Sequence, residues 1–200
     1  MKKISKYFLR GTPALLLPLG AGFVIASSKD IRAALGMGVA VLVITLLSAL
    51  VISGIRNLVP EYSHLPIYVL VVTGFTTLVA MLMEAYFPET VNMLGVHLAA
   101  LAVSAVPYRD CEEVAGVNDL KTTFYTSLIT GIFFTLIMLA AAFVREVFGN
   151  ATFAGHAISF LENYKVSFLV TSAGGFVVLA ILVAVINKIG AVLYTEKEDK

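Results

Sequence analysis

No residue set in this 200-residue chain has the spacing of a self-contained active site: HExxH, GxSxG and Gly-rich phosphate-loop patterns are absent, and no predicted span carries two carboxylates. The ionisable side chains inside apolar stretches reduce to His97 and Glu84, joined by the hydroxyls of Ser27, Ser28, Ser104 and the Thr76–Thr77 pair. A histidine in an apolar run is either packed and hydrogen-bonded or a carrier of a proton or ion. Glu84 stands near the end of its run and reads as reaching the interface. The single cysteine, Cys111, lies in YRDCEEVAG without a CxxC or Cys/His spacing and reads as a free loop thiol. Neither catalysis nor metal binding by this chain alone is expected.

The elements that must position these groups are two short, interrupted apolar stretches. Thr12 to Ser28 holds Pro13, Pro18, Gly20 and Gly22; Val91 to Pro107 holds Gly95, His97, Ser104 and Ala105. Each is about 16 residues, ~24 Å if wholly helical, short of a ~30 Å hydrocarbon layer. Proline and glycine interrupt the backbone ladder, and irregular backbone at membrane depth survives only where protein or a wet cavity covers it. Matching interrupted segments in two halves point to a site at the bilayer midplane. Gly20, Gly22, Gly95, His97, Ser104 and Ala105 are therefore the candidate ion-path or partner-contact residues.

The rest of the chain reads as a frame. With 59% hydrophobic and 14% charged residues and a mean hydropathy of +0.93, this is an integral membrane protein. The net charge of +1 says nothing about nucleic acid, and with no Lys/Arg patch with interleaved aromatics that class is set aside. Long apolar runs at 33–55, 65–87, 122–144 and 166–186 join the short segments to predict an all-α fold of six transmembrane helices. These form two inverted three-helix repeats, about 12–87 and 91–187, with the first and fourth helices short or broken. Residues 108–121 and 145–165 read as loops, Arg56-Asn57 and Arg145-Glu146 as charged collars, and 190–200 as a disordered charged tail. Gly36, Gly38, Gly54, Gly74, Gly131, Gly174 and Gly175 read as sites of close helix approach. The N-terminus MKKISKYFLRG lacks a cleavage site after a clean apolar core and reads as a retained flank. The triplet Asn150-Ala151-Thr152 is read as a chance match to a glycosylation site. Lys and Arg gather on one side (Lys2, Lys3, Lys6, Arg10, Arg56, Arg109, Lys121, Lys188, Lys197, Lys200) against Lys29, Arg32, Arg145 and Lys165 on the other. That asymmetry places both termini in the cytoplasm.

The runs ALGMG (34–38), SALVISGIRNLVP (48–60), LPIYVL (65–70) and REVFGNATF (145–153), with the last span, resemble the RnfE/NqrD family and its sister RnfA/NqrE family, closer to the former. The likeness extends from about Thr12 to Ile189. It implies a six-helix subunit of an ion-motive electron transport complex in the inner membrane, paired with an inverted RnfA/NqrE-like sister and with other Rnf/Nqr-like subunits. In that family each sister carries one cysteine on each interrupted segment, and the four hold a 2Fe-2S cluster. The same alignment puts Gly22 and Ala105 at the two cysteine positions, and neither can ligate iron. The expectation is a cluster-free subunit. The alternative is a stand-alone small ion or solute transporter or channel on the same frame; the scarcity of midplane polar groups favours a subunit that completes its site with a partner.

Overall fold

The computed structural model describes residues 12–153, 156–157 and 166–198. The basic flank with Lys2, Lys3, Lys6 and Arg10, together with Lys165, Asp199 and Lys200, lies outside the described residues. The described chain is helical apart from a two-residue antiparallel ribbon, β1 (Thr152–Phe153) with β2 (His156–Ala157). Among the described residues, three helices are long and apolar enough to cross a membrane, and a bent pair makes up to four.

The first short segment is one unbroken helix, α1 (Thr12–Ser27), which corrects the expectation of an interrupted backbone there. Pro13 falls in the first turn, where its missing N–H removes no ladder bond, and Pro18 deletes one bond without ending the helix. Helix α2 (Ile31–Ile55) follows the turn at Lys29 and Asp30, and α3 (His64–Tyr86) reproduces the third apolar run to within a residue.

The second short segment is broken, as the sequence predicts. Pro88 opens α4 (Pro88–Leu94) in its first turn, and Gly95 (φ 53°, ψ −133°) ends it. The chain then bends by 76° into α5 (Val96–Ala100). A side chain at that φ and ψ is strained, so Gly95→Ala is expected to cost about 1–3 kcal/mol. It should lower the thermal unfolding midpoint although no atom lies within 4 Å of the added methyl. A 3-10 turn (Leu101–Val103) and extended Ser104 precede α6 (Ala105–Asp110).

Residues 108–121 are not the expected polar loop. Helix α6 runs into a π turn, Cys111–Ala115, that buries Cys111 completely against the core, so the thiol is no surface group. The polar letters misled because Glu112 and Glu113 face outward while Asp110, Cys111 and Ala115 face inward on the same winding. Helix α7 (Leu120–Arg145) likewise continues into a π turn, Glu146–Asn150, ended by left-handed Ala151. The last helix, α8 (Ser172–Glu198), starts later than expected, after a 3-10 turn at Ser167–Val170. Its backbone stays helical to Glu198, contrary to the expected disordered tail.

The centre of the fold is the antiparallel pair α2 and α7. A methyl on Gly131 would come within 2.9 Å of the Leu42 backbone, one on Gly38 would meet Thr135, and Thr123 Oγ1 donates to Ser53 Oγ at 3.3 Å. In a bilayer such close packing drives helix association, because lipid tails are as apolar as the helices. Met37, Ile44, Phe134 and Met138 fill the seam and are fully buried. Helix α1 packs on α8 at one flank, and α3 packs on the broken segment at the other.

Candidate functional site

The sequence candidates do not converge on one point. Gly20 faces inward, where a methyl would overlap the Phe134 ring and lie 3.4 Å from Val106, so α1 meets α6 through it. Gly22 faces outward, with nothing within 4 Å of a built Cβ. Gly95 and His97 are exposed at the bend, and the His97 ring lies 3.1 Å (Nδ1) from Leu94 O across it. Ser104 is buried with its hydroxyl unpartnered, and Ala105, half-buried, opens α6 beside it. Glu84 is exposed, consistent with a group reaching the interface.

Two polar constellations that the sequence reading missed lie deeper. The first is the supposed collar. Arg145 is 1% exposed and spreads its guanidinium over the end of α1 and the turn leading to α8. Its Nη1 donates to Ile25 O (2.6 Å) and Ser28 Oγ (2.5 Å), at the end of α1. Its Nε donates to Leu169 O (3.0 Å), and its Nη2 to Val170 O (2.9 Å) and Thr171 O (3.3 Å), in the turn leading to α8. Carbonyls at helix ends lack helical partners, and a planar five-donor fork can serve several at once. Gly175 makes the room: a methyl there would sit 3.2 Å from Arg145 Cζ.

The adjacent Glu146, fully buried, accepts a hydrogen bond from the Ile31 N–H (2.7 Å), so its carboxylate caps the positive end of α2. One dipeptide thus ties α7 to α1, α2 and α8. At the opposite end of the central pair, Arg56 after α2 pairs with Asp119 before α7 at 2.7 Å, partly exposed. Arg56 follows the end of α2 and Arg145 ends α7, but of the two only the Arg56 collar is at the surface.

The second constellation lies midway along the same helices. Asp110, 4% exposed, ends α6 beside the hydroxyls of Ser127 and Thr130 on α7. On α2, Thr45 and Ser48 are wholly buried, and the register of the pair brings them level with Ser127 and Thr130. The signal was present in the sequence: Thr45-x-x-Ser48 and Ser127-x-x-Thr130 each put two hydroxyls on one helix face. Elsewhere, an apolar pocket of about 380 Å³ opens between α2 and α3, with Arg32 and Thr90 its polar lining residues. Among the described residues, no three His, Cys, Asp or Glu side chains gather as a metal-binding group.

Several apolar helices locked by buried polar clamps define a multi-pass membrane protein. The family described as "Rnf-Nqr subunit, membrane protein" matches residues 1–183, and the chain belongs to that family. Its relatives include the E subunit of the Na(+)-translocating ferredoxin:NAD(+) oxidoreductase complex of Acetobacterium woodii, 27% identical over 94% of this chain and 95% of the relative. The E subunit of the proton-translocating ferredoxin:NAD(+) oxidoreductase complex of Clostridium ljungdahlii is 27% identical over 94% of this chain and 90% of the relative. The E subunit of the ion-translocating oxidoreductase complex of Pseudoalteromonas atlantica is 29% identical over 81% of this chain and 70% of the relative.

Proposed function

We propose that this chain is a membrane subunit of an Rnf/Nqr-like ion-motive electron transport complex of the inner membrane. In this reading it pairs with an inverted RnfA/NqrE-like sister and contributes a six-span, twice-repeated frame with cytoplasmic termini. The observation that carries it is the family match across residues 1–183. The packing supports the inverted repeats. The second helices of the two halves, α2 and α7, form the antiparallel core; α1 meets α8 as the broken segment meets α3, and the Arg56 and Arg145 collars fall at equivalent positions.

The residues here do not suit the 2Fe-2S cluster implied by the resemblance. Gly22 and Ala105 offer no donor atom, Gly22 and Gly20 face opposite sides of α1, and Cys111 is packed into the core of the π turn. Four thiolates are the usual requirement, and this chain contains a single cysteine. Iron and labile sulfide in the purified subunit and its partner are expected to show no 2Fe-2S centre assignable to this chain. A 2Fe-2S signal that disappears on Cys111→Ser would contradict that. Gly22 and Ala105 are assigned instead to the partner contact. Ala105→Phe is expected to weaken assembly by overpacking, seen as loss of the complex band on a native gel; an intact band would count against this placement.

A further inference from the structure

The apolar pocket of about 380 Å³ between α2 and α3 has a length, a polar end and an open side that together specify an occupant. Its α2 wall is Arg32, Leu35, Val39 and Val43, residues three or four positions apart and so on one helix face. From Arg32 to Val43 that wall runs ~16 Å, about the depth of one leaflet of a ~30 Å hydrocarbon layer. Val79, Leu82 and Met83 of α3 form the opposite wall. Leu35, Val39 and Leu82 are about half exposed, so the slot opens sideways out of the helix pair. Both polar lining residues stand at one end. Arg32 lies in the first turn of α2, and Thr90 sits one turn further in, where a methyl on Gly36 would overlap its Cγ2. Arg32 is exposed and, among the described residues, makes no ion pair, not even with Glu84 or Glu89 on the facing elements.

An unpaired cation at the end of a one-leaflet apolar slot calls for an amphiphile with an anionic head and a hydrocarbon tail. A partner helix ~10 Å across would need roughly 1,200 Å³ over the same length, well beyond the space present. We propose that this pocket binds one anionic phospholipid, its phosphate on the Arg32 guanidinium and one acyl chain lying along α2 from Leu35 to Val43. The guanidinium fork matches phosphate oxygens, and the Thr90 hydroxyl is a further donor at the same end. In that position the lipid fills the gap between α2 and α3 and becomes part of the frame. The site stands apart from the Arg145 clamp and the Asp110 winding, and it does not depend on the complex-subunit reading.

The test is native mass spectrometry of the full chain, with whatever co-purifies, delipidated in detergent and titrated with dioleoyl phosphatidylglycerol or dioleoyl phosphatidylcholine. The two lipids share their tails and differ in head charge. Wild type is expected to take up one phosphatidylglycerol roughly ten-fold more tightly than phosphatidylcholine, and Arg32→Gln to lose that preference. Val39→Phe, which fills the slot, is expected to remove the first-bound lipid of either kind. Lys121→Gln removes an exposed cation at the start of α7, outside the pocket lining, and should bind as wild type does. Equal affinity for the two lipids in wild type, or an unchanged preference in Arg32→Gln, would overturn the proposal. So would a preference lost equally in Lys121→Gln, a first-bound lipid that survives Val39→Phe, or loss of the lipid whenever a partner subunit is bound, which would make the pocket a subunit contact.

Discussion

Arg145→Ala is expected to be among the most destabilising single substitutions in this chain, costing about 3–5 kcal/mol. The loss is not of one ion pair. Removing the guanidinium leaves the carbonyls of Ile25, Leu169, Val170 and Thr171 without their donor at the points where α1 ends and α8 begins. Each unmet buried polar group costs about 1–3 kcal/mol, although the sum is softened by relaxation. Arg145→Lys is expected to recover only part, because three donors on one nitrogen cannot fan over acceptors from two elements. Thermal unfolding of the solubilised protein measures both, with a fall of roughly 10 °C for the alanine variant. A shift within a degree or two of wild type would mean that Arg145 is not the clamp described here.

Gly131→Val is expected to have the other large effect. The added side chain would start 2.9 Å from Leu42 Cα, a backbone atom that cannot rotate away, so α2 and α7 must part. Ordinary overpacking costs about 1–3 kcal/mol, and this site belongs at the upper end because the separation also opens the seam holding Thr45, Ser48 and Ser127. Gly54→Val on the same central pair is the control: nothing lies within 4 Å of its built Cβ, and it should unfold close to wild type. Equal midpoints for the two variants would refute the close-approach account.

The contrast between these two residues shows what could be read from letters. Gly131 belongs to a set of glycines in long apolar runs. Such runs fix the spans, but not which glycines meet a neighbouring helix, since Gly54 and Gly74 of the same set, also expected to be close approaches, have nothing within 4 Å of a built Cβ. The break at Gly95 was legible, because this glycine lies inside the segment Val91 to Pro107, which is too short to cross unbroken. Arg145 was not. A charged residue at the end of a span looks the same in sequence whether it reaches water or folds back onto buried carbonyls, and its acceptors lie 24 to 120 residues away. Asp110 was hidden differently. YRDCEEVAG is polar on average, but one helical winding sends Glu112 and Glu113 outward and Asp110 and Cys111 inward. Pro18 erred the other way, since a proline that signals interruption was absorbed by a helix that lost one bond and continued.

These features describe a frame more than a reaction centre. The clamps at Arg145 and Glu146 hold the helix ends, the glycine contacts set the central spacing, and the oxygens around Asp110 occupy the seam between. The candidates Gly22 and His97 face outward, as residues that meet a partner subunit or lipid would.

Purification of the tagged chain from its native membrane, with mass-spectrometric identification of every co-purifying subunit, tests the central claim most directly. The account predicts a stoichiometric sister of the RnfA/NqrE type together with further Rnf/Nqr-like subunits. A stable homo-oligomer of this chain with no such partner would contradict it and establish the stand-alone transporter as the better reading.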